Sequence, residues 1–524
     1  MKSTEPYTAI HCRTYYSLLR GVMSPEQVVD TAATWGAQAV GLADVNGFYG
    51  LVKFAAAAGR RGLKALYGTA LYDGEEHLCS LLCLNKAGFA RANEILSRHI
   101  DAQNSLPAET LRSPVAVRSA ARRAGGVAFN GGIAPGGGAA SQSGYDPVAD
   151  LVARGWSGLW VVSSRADVLE RLQQHSSNGL FVGLRYGEPF SELRRMAVRR
   201  GLRVLAYNDA VYLQEDDLGF YRVVRAIGRN QLVDAIPPGG GLAAGQRFAG
   251  PDEMRRFFSA VPNALEAAEE FATRAEAYRL PEGFIFPAFA GMSESGSFAR
   301  LRSLCMEGIR RRYGRAASAA SPASSAALAD PASPTDLAAA AGGGLSGVRT
   351  GAASEGAGPL MRKIVTRLEY ELEIIRHKGF AAYFLVVHDI VRRVPRTCGR
   401  GSSAASIVAF LLGITHVDPL RYNLFFERFL NMGRKDPPDI DVDFPWDERD
   451  RTLEYVFQTY AGSAAMVADH VTFAFRSAIR EPARVLGYEK EQLDRLAGLW
   501  RRGHINDLPE ELQQVVPRLY GMPR

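Results

Sequence analysis

The chain has 524 residues, of which 47% are hydrophobic and 22% charged, with a net charge of +7. That composition describes a globular protein with an ample core, in two to four domains of ~100–200 residues each, and the basic excess is compatible with a polyanionic partner. Five cysteines without CxxC or zinc-ligand spacing exclude a disulfide-stapled or zinc-built fold and fit a reduced compartment.

The N-terminal MKSTEPYTAIHCRTYYSLL lacks the charged start, apolar core and cleavage site of a signal peptide. No apolar run approaches the ~18 residues of a membrane span, so a cytoplasmic protein is expected. From "SPEQVVDTAATWGAQAVGLAD" onward, a capped amphipathic helix, a Gly turn and a short apolar strand follow one another. The pattern recurs in "VKFAAAAGRRGLKALYGTAL", "DPVADLVARGWSGLWVVSS" and "FSELRRMAVRRGLRVLAYND". Repeated α-then-β units predict a parallel sheet or barrel over residues 1–215, with functional groups at the strand C-termini. Residues 216–315 read as a helical joining region that ends in Arg310, Arg311, Arg312 and Arg315. Residues 316–359 are Ala, Ser, Gly and Pro, too poor in apolar side chains to offset ordering entropy, and read as a disordered insertion. Amphipathic structure resumes at residue 360.

Two stretches of the last part carry chemistry. In "CGRGSSAASIVAFLLGIT", Gly399 and Gly401 permit close backbone approach, and Ser402 or Ser403 can cap the helix that follows. The helix N-terminus and Arg400 then offer an anion site, an ordinary capped helix being the alternative. In "PPDIDVDF", Asp439, Asp441 and Asp443 share one face of a strand whose other face is Ile440, Val442 and Phe444. A solvated edge strand is one explanation of that alternation. A rigid row of carboxylates for Mg²⁺ and a phosphorylated substrate is the other, and a phosphate cradle ahead of it favours metal-dependent nucleotidyl transfer. Arg476, Arg480 and Arg484 recur at spacing four, on one helix face if Pro482 leaves the helix intact, and suit a nucleic-acid backbone.

Taken together, "RLEYELEIIRHKGFAAYFLVVHDIV", "GRGSSAAS", "LGITHVDPLRYNLFFERFLN", "PPDIDVDF" and "SAIREPARVLG" resemble the alpha subunit of bacterial DNA polymerase III, a C-family DNA polymerase, with a lean towards the error-prone branch. "IHCRTYYSLLRG", "GLADVNGFYGLVKF" and "VLAYNDAVYL" resemble that family's PHP domain. The resemblance implies an α/β protein: an N-terminal PHP-type distorted (β/α) barrel, a polymerase-beta-like nucleotidyltransferase palm over 360–470, and a truncated helical thumb over 471–524. It implies that Asp439 and Asp441 hold two Mg²⁺ ions, with Asp443 as the alternate. Gly399, Arg400, Gly401, Ser402 and Ser403 would bind the incoming nucleotide, and Arg476, Arg480 and Arg484 the DNA. The implied partners are primer–template DNA, dNTPs, replisome or repair subunits and a separately encoded C-terminal half bearing the third catalytic aspartate; no membrane is expected.

At the family's PHP metal positions, His11, Asp44 and Asp209 match, but Arg13, Val45, Ala70 and Val211 stand where ligands are expected. The expectation is a degenerate site without a metal or phosphoesterase activity. The implied function is templated DNA synthesis in replication or repair. The competing readings are an inactive DNA-binding or scaffold remnant and, last, a PHP metallo-phosphoesterase.

Overall fold

The computed structural model describes residues 8–104, 145–237, 245–276, 288–314, 359–394, 396–434, 436–461, 463–467, 469–501 and 505–524. The low-complexity segment lies outside them, except that Pro359 opens the helix Pro359–His377. The chain divides into two compact units, one of Met1–Leu280 with Asp469–Arg524 and one of Pro281–Ala468.

The first unit is built on seven strands in sequential order: β1 (Ala9–Cys12), β2 (Ala39–Val45), β3 (Lys64–Asp73), β4 (Glu76–Cys83), β5 (Leu159–Ser163), β6 (Leu180–Arg185) and β7 (Arg203–Tyr207). Strands β1–β3 and β5–β7 run parallel, as the helix–Gly–strand repeats predict, but β4 is antiparallel to both neighbours. The all-parallel expectation fails here because Asp73 and Gly74, with Gly74 at φ +57°, turn β3 directly into β4 with no crossover helix. A parallel bridge between Cys12 and Ala210, just past β7, brings the two sheet edges together and curls the sheet.

Helix Pro25–Thr34 starts as its sequence predicts, with Ser24 as N-cap, Pro25 in the first turn and Gln27 completing a capping box. Its buried Val28, Val29 and Ala32 join Phe54, Leu71, Leu81, Val161 and Val182 in the main core. Phe473, Ala478, Ile479, Leu512 and Val516 share a separate buried cluster with Val211, Phe220 and Val224. Residues 469–524 therefore pack on helix Asp217–Arg229 within this unit, fastened by Arg518 Nη2 to Asp217 Oδ1 at 2.6 Å.

In the second unit, helices Glu294–Tyr313, Pro359–His377, Ala381–Val391 and Ile407–Leu412 surround Leu301, Cys305, Ile364, Leu368, Phe384, Phe410 and Phe429. Arg311 and Arg312 of the basic run are structural: they donate to the carbonyls of Leu411 and Phe410, at the C-terminal end of the short helix. Gly308 makes that contact possible, since a Cβ there would stand 2.4 Å from the Leu411 carbonyl oxygen. Gly308→Ala should gain ~0.5–1 kcal/mol of helix propensity but lose ~1–3 kcal/mol to overpacking, a net destabilisation. A urea midpoint at or above that of the parent would refute this close packing. Among the described residues the unit's sheet is one ribbon, β8 (Cys398–Arg400) against β9 (Asp441–Asp443).

Candidate functional site

The β8–β9 ribbon brings the two chemistry-bearing stretches together. The strands are antiparallel, with Arg400 opposite Asp441, Gly399 opposite Val442 and Cys398 opposite Asp443. Ile440 and Val442 pack partly against the core of the unit, while Asp439, Asp441 and Asp443 are exposed, the alternation the sequence predicts. Asp439 lies just before the strand. Arg400 Nε donates to Asp443 Oδ1 at 3.0 Å, with both side chains about two-thirds exposed (64% and 63%). Such a pair is worth ~0–1 kcal/mol and is readily exchanged.

Among the described residues no ion pair engages the carboxylates of Asp439 or Asp441. Gly401, at φ +69°, turns the loop so closely that a Cβ there would lie 3.2 Å from Asp441 Oδ2. Sequence reasoning missed Tyr383, which lies beside the aspartates. Its hydroxyl accepts from the Ile440 N–H at 3.3 Å, and burial, then the charges of Asp439 and Asp441, raise its pKa. Hard carboxylate oxygens with open faces fit Mg²⁺, which takes one or two carboxylates together with substrate phosphates. No group of three or more His, Cys, Asp or Glu is gathered as a metal site among the described residues.

The anion site expected at the helix N-terminus is corrected by the structure. Residues Gly401–Ala405 form a 3₁₀ turn, and the cap of helix Ile407–Leu412 is Ser406, not Ser402 or Ser403. Ser403 is buried and donates to the Arg400 carbonyl at 2.8 Å, whereas Ser402 is exposed. The free N–H groups of the helix are taken by Glu371, which is fully buried. Its Oε1 accepts from Ile407 N (3.0 Å) and Arg367 Nε (2.7 Å), and its Oε2 from Val408 N (3.2 Å) and Ser406 Oγ (2.7 Å). A protein carboxylate thus already fills the dipole end of this helix.

Helix Phe475–Val485 runs through Pro482, so Arg476, Arg480 and Arg484 do share a helical stretch. Each has an acidic partner: Arg476 and Arg480 pair with Asp494, and Arg484 with Glu481 at 2.8 Å. Arg484 also donates to Asn230 Oδ1 at 2.6 Å.

At the C-terminal ends of the barrel strands, His11 and Asp209 meet Arg13, while Asp44 stands apart. Asp209 Oδ2 accepts from Arg13 Nη2 at 2.5 Å, and its Oδ1 lies 3.3 Å from His11 Nδ1. Burial pushes the Asp209 carboxyl up, but Arg13, His11 and Arg185 together hold it well below the usual range. Asp44 is bound instead by Thr14 N (2.6 Å) and by the hydroxyls of Thr14 and Ser17. Val45 and Ala70, at two positions where the resemblance expects ligands, pack with Tyr72 in a small apolar cluster. Arg13 also donates to Tyr72 Oη at 2.5 Å. A guanidinium therefore supplies the positive charge next to Asp209.

Sequence reasoning missed Ser80 and His77 because it missed β4. Ser80 Oγ lies 2.8 Å from His11 Nε2 and 3.0 Å from His77 Nε2. Asp209, His11 and Ser80 stand in the order of a hydrolytic triad. All three are at most 3% exposed, and burial lowers the pKa of His11, the pattern of a buried polar network.

Residues 299–516 match the family described as the bacterial DNA polymerase III alpha NTPase domain, and residues 9–118 match the PHP domain. Error-prone DNA polymerase of Nocardia farcinica is 31% identical, covering 100% of this chain and 46% of the relative. That of Anaeromyxobacter sp. (strain K) is 32% identical over 99% of this chain and 47% of the relative. That of Mycobacterium tuberculosis (strain ATCC 25618 / H37Rv) is 29% identical over 100% and 44%. The chain spans about half the length of the curated relatives it matches. Among solved structures, an amidohydrolase from Chromobacterium violaceum is 20% identical with a TM-score of 0.25, covering 39% of this chain and 87% of its own.

Proposed function

From the matches of residues 299–516 to the bacterial DNA polymerase III alpha NTPase domain and of residues 9–118 to the PHP domain, we propose that the chain belongs to that polymerase family and serves DNA-directed DNA synthesis. The reaction is nucleotidyl transfer from a dNTP to a primer 3′-hydroxyl in replication or repair synthesis. The observation that supports this most directly is the ribbon that sets the Arg400–Ser402 loop against Asp441, with Asp439 beside it. Asp439 and Asp441 hold Mg²⁺. Asp443 keeps Arg400 in place until a triphosphate offers that guanidinium a stronger, bidentate partner. Ser402 presents an exposed hydroxyl to the same phosphates; Gly399 and Ser403 shape the loop that carries them. Bound Mg²⁺ supplies charge neutralisation and polarisation at the phosphoryl oxygens.

Arg476, Arg480 and Arg484 contact the DNA backbone by exchanging Asp494 and Glu481 for phosphates, as partly exposed ion pairs permit. The N-terminal barrel acts as a scaffold, since Arg13 occupies the charge-balancing role that a phosphoesterase reserves for a cation.

The test is primer extension by the full chain with Mg²⁺ and dNTPs, alone and with the remaining half of a relative supplied in trans. Templated addition in either arm is expected. Salt-dependent binding of primed DNA without extension in both arms would replace this function with a DNA-binding or scaffolding one.

A further inference from the structure

Next to the Asp209 cluster, three further arginines of the N-terminal unit converge on one carboxylate. Arg20 lies in the loop after β1, Arg225 and Arg229 lie one turn apart on helix Asp217–Arg229, and Glu75 lies on the turn between β3 and β4. Arg20 Nη2 is 2.9 Å from Glu75 Oε1, while Arg225 Nη2 and Arg229 Nη2 are 2.8 and 3.1 Å from Oε2. Among the described residues Glu75 is the ion-pair partner of all three, so three guanidiniums and one carboxylate leave two positive charges uncompensated.

That surplus is held in an unusual place. The Arg20 and Arg225 side chains are only 10% and 7% exposed, whereas Glu75 is 57% exposed. Burying cations in excess of their counter-anions costs free energy, which an added anion would return. Among the described residues no second carboxylate is ion-paired with any of the three. Arg20 and Arg13 both lie over the Tyr72 ring, and Arg13 is already paired with Asp209. The forks are also oriented in advance: Arg20 Nη2 donates to the Gly74 carbonyl at 2.7 Å and Arg225 Nη1 to the Leu19 carbonyl at 3.2 Å. Glu75, by contrast, has a side chain 57% exposed, so water can solvate its carboxylate when another anion takes its place.

We propose that Arg20, Arg225 and Arg229 form a binding site for a compact phosphate group, either inorganic phosphate or a terminal phosphomonoester, and that Glu75 is the resident anion it displaces. A dianion with several acceptor oxygens matches both the charge surplus and the fork geometry better than one carboxylate does. Near-burial of two of the three forks favours a small or terminal group over a phosphodiester within a duplex.

The full chain is titrated calorimetrically with inorganic phosphate, and then with 5′-phosphorylated and 5′-hydroxyl forms of one oligonucleotide. Glu75→Gln removes the competing charge and should bind phosphate about tenfold more tightly than the parent. Adding Arg229→Ala, at a side chain 31% exposed, should abolish that gain. Equal affinity in all three proteins, or a gain that survives Arg229→Ala, overturns the site. If Glu75→Gln does not fold, Arg229→Ala alone is compared with the parent: weaker phosphate binding supports the site and unchanged binding overturns it. Preference for the 5′-phosphorylated oligonucleotide assigns the phosphate to a nucleic-acid end; phosphate binding with no such preference assigns it to the free ion.

Discussion

Asp441→Asn is expected to lower Mg²⁺-dependent primer extension by about 10³-fold or more while leaving the fold intact. A carboxylate that holds a catalytic metal carries several kcal/mol of transition-state stabilisation, and each ~1.4 kcal/mol is a factor of ten. Asparagine preserves the shape and the β9 register opposite Arg400 but removes the charge. Because Asp441 is exposed, the accompanying change in unfolding free energy should stay within ~0.5 kcal/mol. Asp443→Asn provides the contrast. That carboxylate is already engaged with Arg400 in an exposed pair, so its loss should cost about tenfold or less. Extension by Asp441→Asn within tenfold of the parent, or a larger loss in Asp443→Asn, would move the metal-binding role away from Asp441.

Arg13→Ala is expected to cost about 3–5 kcal/mol of folding stability, because it strips the close counter-ion from a buried carboxylate. Arg185 Nε at 3.6 Å and Gln246 Nε2 at 3.2 Å remain to moderate the loss. The pH dependence carries the signature. In the parent, Asp209 has a folded-state pKa below its unfolded value, so it contributes stability that is present above the unfolded pKa of about 4 and fades as the pH falls through the folded value. Without Arg13, burial gains ground and raises the folded-state pKa, so the variant recovers relative to the parent as the carboxyl protonates. Denaturant unfolding should therefore show the largest gap at neutral pH and a narrowing one below about pH 4. A gap under 1 kcal/mol, or one constant from pH 7 to pH 3, would refute Arg13 as the principal counter-charge.

How much of this was legible beforehand varies by element. The alternating face of "DIDVD" and the helix–Gly–strand repeats follow from local periodicity, and the structure reproduces them. Strand β4 did not announce itself, because its first residues, Glu76 and His77, are polar and the turn at Gly74 is short. With β4 went Ser80 and His77. Glu371 left a usable trace: it sits between Leu368 and Leu372 on the buried stripe of helix Pro359–His377, where an acid needs a partner. The cap was misplaced at Ser402 or Ser403 because three serines within five residues have equal local claims, and only the 3₁₀ turn over Gly401–Ala405 delays the helix to Ser406.

Residue type and spacing alone determined the family resemblance, the parallel segments of the barrel, the carboxylate row and the replacement of expected metal ligands by Arg13, Val45, Ala70 and Val211. These depend on each residue's own chemistry and its near neighbours. Only the tertiary structure decided that Glu371 fills the helix N-terminus, that Asp443 is paired while Asp441 faces the loop, that Arg13 neutralises Asp209, and that residues 469–524 share a core with the barrel unit. Each of those contacts joins groups tens to hundreds of residues apart. Which opposite charges meet, and which remain open to a ligand, is set by where packing places them and not by their order along the chain.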